Sequence, residues 1–326
     1  MTPRYNEQAR LVPREGPRLS IFRATKTSFH AHTLAFHKPV LTLGKKSVKK
    51  PLERSAAGAY RWVRGRIAKT AGWVRSRCPE AGQGEVSSLS VIIPALNEER
   101  HVGALLSDIA AQTRKPDEVL VVDAGSTDGT VPVVRRSAFA ELLEGTPPVA
   151  CGRNLGGRRA TGDVLIFLDA DVRLSEDFLE DFLGEFENRG LDVACPLYVP
   201  YRSTPAIEAF HGVFNLVTRV FQGTLPSGAG HCIAVKRSVF QESRGFDPGL
   251  KFDDIELIRR LSRGRRFGIV GERVFVSDRR YREQGTARMI LRYSLMALFF
   301  ALGRFSWANH IGYEFGGHDH LKRRQR

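Results

Sequence analysis

From Leu89 onward the chain alternates short, unbroken apolar runs with longer stretches of helical period. "LSVIIPA" (89–95), "DEVLVVDAG" (117–125) and "DVLIFLDAD" (163–171) lack an alternating polar face. That is the pattern of β-strands covered on both sides, with the first expected to stop at Pro94. Between the first two, "NEERHVGALLSDIAAQT" (97–113) places Val102, Leu105, Leu106, Ile109 and Ala110 on one helical stripe. The second strand turns through "STDGT" (126–130) into a short helix, and a Gly/Arg-rich segment precedes the third. "SEDFLEDFLGEFENRG" (175–190) predicts a helix capped by Ser175 and stopped by Gly190. Its apolar face would be Phe178, Leu179, Phe182 and Phe186. Strands alternating with helices in this order predict an α/β domain on a mostly parallel sheet.

The flanks have a different texture. Residues 1–50 scatter Arg, Lys, His and Pro among isolated apolar positions and are expected to be largely disordered. "AYRWVRGRIAKTAGWVR" (59–75) is more regular: Tyr60, Val63, Ile67, Ala71 and Val74 share a stripe, and arginines fill most of the remaining circumference. That predicts a basic amphipathic helix, either lying on an anionic membrane or docked on the protein itself. "PEAGQGE" (79–85) reads as a linker. At the other end, "MILRYSLMALFFALGRFSW" (289–307) is nearly all apolar apart from Arg292 and Arg304. Its uncharged run is too short to span a bilayer, so an interfacial or packed helix is expected. Three parts follow: an extension over 1–85, a folded domain over 86–275, and a basic, apolar helical segment over 276–326.

Charge sharpens this division. The 326 residues carry a formal net charge of +15, of which residues 1–85, with 18 Lys/Arg against 5 Asp/Glu, hold +13. The basicity belongs to a tail seeking an anionic partner, and a nucleic-acid-binding body is not supported. Cys78, Cys151, Cys195 and Cys232 form no C-x-x-C pair and read as free thiols of a reducing compartment. No secretory signal is recognisable, so a cytoplasmic location is expected, with peripheral attachment to the inner face of the cell membrane as its extension.

The chemistry should sit where the strands end. In an open parallel sheet, ligands bind outside the carboxyl ends of the strands. There the three strands run into "PALNEE" (94–99), "DAGSTDGT" (123–130) and "DADV" (169–172). Asn97, Glu98, Asp123, Asp128, Asp169 and Asp171 would line one crevice. Asp169 and Asp171, one residue apart, point to the same side of an extended chain and can share a hard divalent cation such as Mg²⁺ or Mn²⁺. Each segment alone also reads as a capped turn; the ordered set of three is far more specific.

That ordered set resembles the family 2 glycosyltransferases, inverting enzymes of the GT-A fold that use nucleotide sugars. The matching stretches are "SVIIPALNEE", "EVLVVDAGSTDGT", "GRNLGGRRATGDVLIFLDADV" and "VKRSVFQESRGFDPGLKFDDIELIRRLSRG", within residues 89–270. The resemblance implies a GT-A catalytic domain over 86–275 and a UDP- or GDP-linked sugar donor. Pro94, Ala95, Asn97 and Glu98 would border the nucleotide, and Asp123 would contact the base. Arg153 and Asn154 would lie near the nucleotide and its phosphates, Asp169 would face ribose and metal, and Asp171 would ligate the metal. "KFDDIELIRRL" (251–261) is similar to the family stretch whose central Asp is the general base, here Asp254; Asp253 stands where the family usually has Glu.

Three further residues are candidates for diphosphate or acceptor contacts. His231 in "SGAGHCIAVKR" is a candidate metal or diphosphate ligand, with a hydrogen-bonded structural role as the alternative. Arg279 and Arg280 would bind diphosphate or an anionic acceptor, or form a solvated basic run. The expected reaction is transfer to a hydroxyl acceptor, for which a lipid-linked compound is one reading. A sugar-phosphate nucleotidylyltransferase would need a basic, Gly-rich loop after the first strand, where this chain is acidic. A non-catalytic nucleotide-sugar or membrane-binding protein of the same fold is the other alternative.

Overall fold

The computed structural model describes residues 87–310, Arg202 excepted. The expectations for residues 1–85, including the amphipathic helix at 59–75, lie outside these residues. In chain order the elements are β1 (Leu89–Ala95), α1 (Val102–Ala110), β2 (Glu118–Asp123), α2 (Thr130–Arg135), β3 (Glu141–Glu144), α3 (Val149–Arg159), β4 (Val164–Leu168) and α4 (Phe178–Asn188). There follow β5 (Val193–Tyr201), α5 (Pro205–Val220), β6 (Cys232–Lys236), α6 (Arg237–Gln241), α7 (Asp253–Leu261), β7 (Phe267–Ser277), α8 (Arg279–Gln284), α9 (Thr286–Ala301) and α10 (Phe305–Ala308).

The seven strands form one mixed sheet in the order β3-β2-β1-β4-β6-β5-β7. β3, β2, β1 and β4 are parallel; β6 runs antiparallel to both β4 and β5, and β7 is parallel to β5. β1 and β4 are buried along their whole length, as continuous apolar runs require. β1 continues past Pro94 to Ala95; its pairing with β4 has already ended at Ile92, so the missing N–H is accommodated there.

α1 and α4 pack the predicted stripes onto the sheet, burying Val102, Leu105, Leu106 and Ile109, and Phe178, Leu179, Phe182, Leu183 and Phe186. Ala110 faces solvent, and α4 begins at Phe178 rather than after Ser175. Ser175 instead forms the preceding turn, its carbonyl accepting from Phe178 N–H and Gln112 Nε2.

The Gly/Arg-rich segment is the helix α3. Gly152 and Gly156, one turn apart, let it lie against β1 and β2: a Cβ at Gly156 would collide with Ile92 Cγ2. The glycines lower its intrinsic helix propensity. The close approach they permit seats Arg153 beneath the crevice.

Residues 191–226, which carried no assigned element, supply β5 and α5. A second apolar cluster of Ile207, Phe252, Tyr281, Met289, Met296 and Phe300 joins α5 to the C-terminal helices. No helix among the described residues is long and apolar enough to cross a membrane.

Candidate active site

The carboxyl ends of β1, β2 and β4 open on one edge. β6 brings a fourth element there because it runs backwards: Cys232 pairs with Leu168, so the residues before β6 meet those after β4. Asp169 N–H donates to the His231 carbonyl at 3.1 Å, and His231 Nδ1 lies 3.0 Å from Asp169 Oδ2. Asp169, Asp171 and His231 can each bring one ligand atom within 4.8 Å of the others. Two carboxylate oxygens and one imidazole suit Mg²⁺ or Mn²⁺ and leave coordination positions open, so the donor set fits a divalent cation.

Arg153 organises the floor of this site. Its guanidinium is 5% exposed as a residue and lies over the Phe246 ring, 5.2 Å from the centroid. Nη2 donates to Asp169 Oδ1 at 2.7 Å and to the Gly230 carbonyl at 3.2 Å, while Nη1 donates to Asp253 Oδ1 at 3.2 Å. Burial by itself would raise the Asp169 pKa. The Arg153 charge and the His231 hydrogen bond outweigh it and hold that carboxyl well below its ordinary value. For His231, burial favours the neutral ring, but its bond to Asp169 and the charges of Asp169 and Asp171 raise its pKa.

Asp254 opens α7 from the other side of the same loop. Its Oδ2 accepts Gly230 N–H at 2.6 Å and its Oδ1 accepts Ile255 N–H at 2.9 Å. Gly230 is thus held between the two charges, N–H to Asp254 and carbonyl to Arg153. A Cβ at Gly230 would lie 2.9 Å from Asp254 Oδ2 and 3.0 Å from Arg153 Nη2, so only glycine fits without displacement. Burial raises the pKa values of both Asp253 and Asp254; Arg153 opposes this, and for Asp253 the neighbouring charge of Asp254 adds to it.

The residues expected to border a nucleotide lie on the first two loops. Asn97, at φ 54°, accepts Thr127 N–H on its Oδ1 at 2.8 Å, and its own N–H donates to Ser126 Oγ at 2.8 Å. Glu98 donates its N–H to Thr130 Oγ1 and holds His101 Nδ1 at 2.9 Å. Pro94 and Ala95 end β1 beneath these loops. Asp123 uses Oδ2 to accept the N–H groups of Gly125 and Ser126. Its Oδ1 is buried with no partner among the described residues, an acceptor left over at the crevice.

Of the other expected residues, Asn154 has both ends of its amide on the Phe246 backbone, at 2.8 and 2.7 Å. That places it under the Gly245 loop as a clamp. Arg279 stands 3.9 Å from Asp171, and Arg280 influences His231 electrostatically from the same helix.

Residues 90–244 match the model of "Glycosyl transferase family 2". Those residues are a family 2 glycosyltransferase domain. The 4,4'-diaponeurosporenoate glycosyltransferase of Staphylococcus aureus (strain USA300) is 33% identical over 141 residues, 41% of this chain and 37% of the relative. The namesake of Staphylococcus haemolyticus is 30% identical over 164 residues, 47% of this chain and 44% of the relative. The matches span about two fifths of these relatives' length. A mannosyltransferase from Pyrobaculum calidifontis, solved with GDP-Man and Mn²⁺, has the same fold as the family 2 domain. Its TM-score is 0.50 at 23% identity, covering 68% of this chain and 65% of that one. The residues bearing the site extend beyond the family 2 match, through α7 to α8.

The sequence motifs do not reveal that Asp169 is already compensated within the protein. The spacing of the two acids in "DADV" predicts that they share a divalent cation. In the structure Arg153 and His231 hold Asp169, and Asp171 faces Arg279. The available signal was the spacing of glycines around Arg153, which marks a helix pressed onto the sheet.

Proposed function

We propose that this protein is an inverting, metal-assisted glycosyltransferase. It moves a sugar from a UDP- or GDP-linked donor to a hydroxyl acceptor. The observation that carries the reading is what meets around Gly230: the Asp169–Asp171–His231 cluster on one side and the Asp254 carboxylate on the other.

Asp123 Oδ1, the buried acceptor without a partner, suits an N–H on the edge of the base. Asn97 and Glu98 tie the two nucleotide loops together, and Pro94 and Ala95 form the floor under the base. Asp169, Asp171 and His231 would hold Mg²⁺ or Mn²⁺. Such an ion supplies positive charge against the diphosphate leaving group. Arg153 keeps Asp169 ionised and oriented. Arg279 and Arg280 add cationic charge on the same side, toward the diphosphate or an anionic acceptor.

Asp254 takes the acceptor hydroxyl's proton as that oxygen attacks the anomeric carbon. The new C–O bond forms on the face opposite the diphosphate, whose bond to the sugar breaks with its electron pair. The anomeric configuration therefore inverts. A carboxyl whose pKa is raised by burial is a stronger base once ionised, which suits this role. The enzyme would work on the cytoplasmic side, at the inner face of the cell membrane.

A thermal-shift screen of UDP, GDP and other nucleoside diphosphates, each with and without Mn²⁺, tests this reading. One diphosphate should stabilise the protein, and more strongly with the metal. No stabilisation by any of them, with metal present, would overturn the proposal.

A further inference from the structure

Ten of the twelve large apolar side chains exposed among the described residues lie on two segments. Val213, Leu216, Val217, Val220 and Phe221 stand out from α5 and its end. Leu291, Leu295, Leu298, Leu302 and Trp307 stand out from α9, its end and α10. The four leucines recur at helical spacing on the face opposite Met289, Met296 and Phe300, which are buried in the second cluster. Both helices are apolar on their outer as well as their inner faces. So concentrated an exposed patch marks a docking surface.

The two segments are neighbours. Phe210 of α5 stacks on Tyr293 of α9 with centroids 6.1 Å apart, and His211 Nε2 lies 3.1 Å from Tyr281 Oη. Charge identifies the occupant. Residues 286–310 hold Arg288, Arg292 and Arg304 and no Asp or Glu, while α5 carries one exposed charge of each sign, Glu208 and Arg219. Arg304 lies over the exposed Trp307 ring, 5.2 Å from its centroid. The α9 face, apolar, bordered by arginines and free of acids, is complementary to anionic headgroups over acyl chains, and α5 adds apolar area without net charge. At sixteen residues α9 cannot cross a bilayer, so it would lie in the interface.

The patch also adjoins the site. α8, which sets Arg279 against Asp171, turns at Gly285 (φ 88°) directly into α9. Tyr198 touches both Phe214 of α5 and His231, each with ring centroids 6.1 Å away.

We propose that the outer faces of α5 and α9 dock on an anionic phospholipid bilayer and hold the Asp171 side of the site at the lipid surface. This deepens the glycosyltransferase reading by naming the surface and the lipid charge, and the docking itself does not depend on turnover.

The sequence has three tryptophans, Trp62, Trp73 and Trp307, so the full chain with Trp62→Phe and Trp73→Phe reports on Trp307 alone. It is mixed with phosphatidylglycerol-rich vesicles whose phosphatidylcholine carries brominated acyl chains. Trp307 fluorescence should be quenched, and adding Leu295→Glu and Leu298→Glu should weaken that partitioning by about tenfold or more. Three results would overturn the proposal. The first is no vesicle binding, and the second is co-sedimentation with Trp307 unquenched or indifferent to the glutamates, meaning contact elsewhere on the chain. The third is a dimer, seen by light scattering, that the glutamates dissolve, meaning that a second copy covers the face. Nucleotide-dependent thermal shifts of the same variants separate the two readings. Intact nucleotide binding without quenching sinks the docking alone, and quenching without nucleotide binding sinks the enzyme reading alone.

Discussion

Arg153 Nη2 donates to Asp169 Oδ1 at 2.7 Å, and this one ion pair couples the two halves of the site. The same guanidinium reaches Asp253, next to the proposed base, at 3.2 Å. Replacing Arg153 with Met would leave the buried Asp253 without its ion-pair partner and Asp169 with His231 alone. A loss of about 3–5 kcal/mol is expected, read as a lowered midpoint in denaturant unfolding. Arg153→Lys keeps a charge but not the fork, and should restore only part of the loss.

Gly230→Ala tests the packing between base and arginine. The added methyl group would press on Asp254 Oδ2 and Arg153 Nη2. Sugar transfer should fall by about a hundredfold, because a displaced base no longer meets the acceptor oxygen. Nucleotide affinity should stay within a few-fold of the parent, measured by titration calorimetry.

The role of Asp254 as base predicts a split between binding and turnover. Asp254→Asn should bind the donor normally and lose roughly 10²–10⁴ in transfer rate. In the parent protein, transfer requires ionised Asp254, so activity should fall as pH drops. Because burial raises its pKa, that fall should begin above the ordinary carboxylate range. The acid limb should be absent from the residual activity of the Asn variant.

His211 makes stability pH-dependent. Burial, with the nearby charge of His231, lowers its pKa to about 4 from an ordinary 6.5. The unfolded chain therefore binds a proton first as pH falls through 6.5, and the folded state is weakened from there down to about pH 4. Above pH 6.5 the contribution is fully present. His211→Gln should flatten this part of the stability-against-pH curve, a difference on the order of 2 kcal/mol between pH 7 and pH 4.

How much of this was legible in the sequence divides along physical lines. β1, β2, β4, α1 and α4 follow from local periodicity, and the acids at the strand ends from the sheet edge they share. α3 was not visible as a helix, because glycines that lower its propensity are kept for contact with Ile92 and Val122. α9 follows from the apolar run at 289–307, whereas α5 escapes a pattern reading because its outer face is as apolar as its inner one. The meeting of His231 with Asp169 depends on an antiparallel register, Cys232 against Leu168, across 62 residues of chain. No short-range pattern encodes that register. Arg153 is expected near the nucleotide and its phosphates; the sequence does not show that its two Nη groups are engaged by Asp169, Asp253 and Gly230.

The central claim is that Asp169, Asp171 and His231 form one cation site that serves a nucleoside diphosphate. Calorimetric titration of the best-stabilising diphosphate, with and without Mn²⁺, tests it most directly when run on the parent and on Asp171→Ala. In the parent, Mn²⁺ should tighten binding by about tenfold or more, since the cation bridges protein and phosphate oxygens. In Asp171→Ala that enhancement should vanish while the metal-free affinity persists. Equal enhancement in both proteins, or none in the parent, would contradict the account.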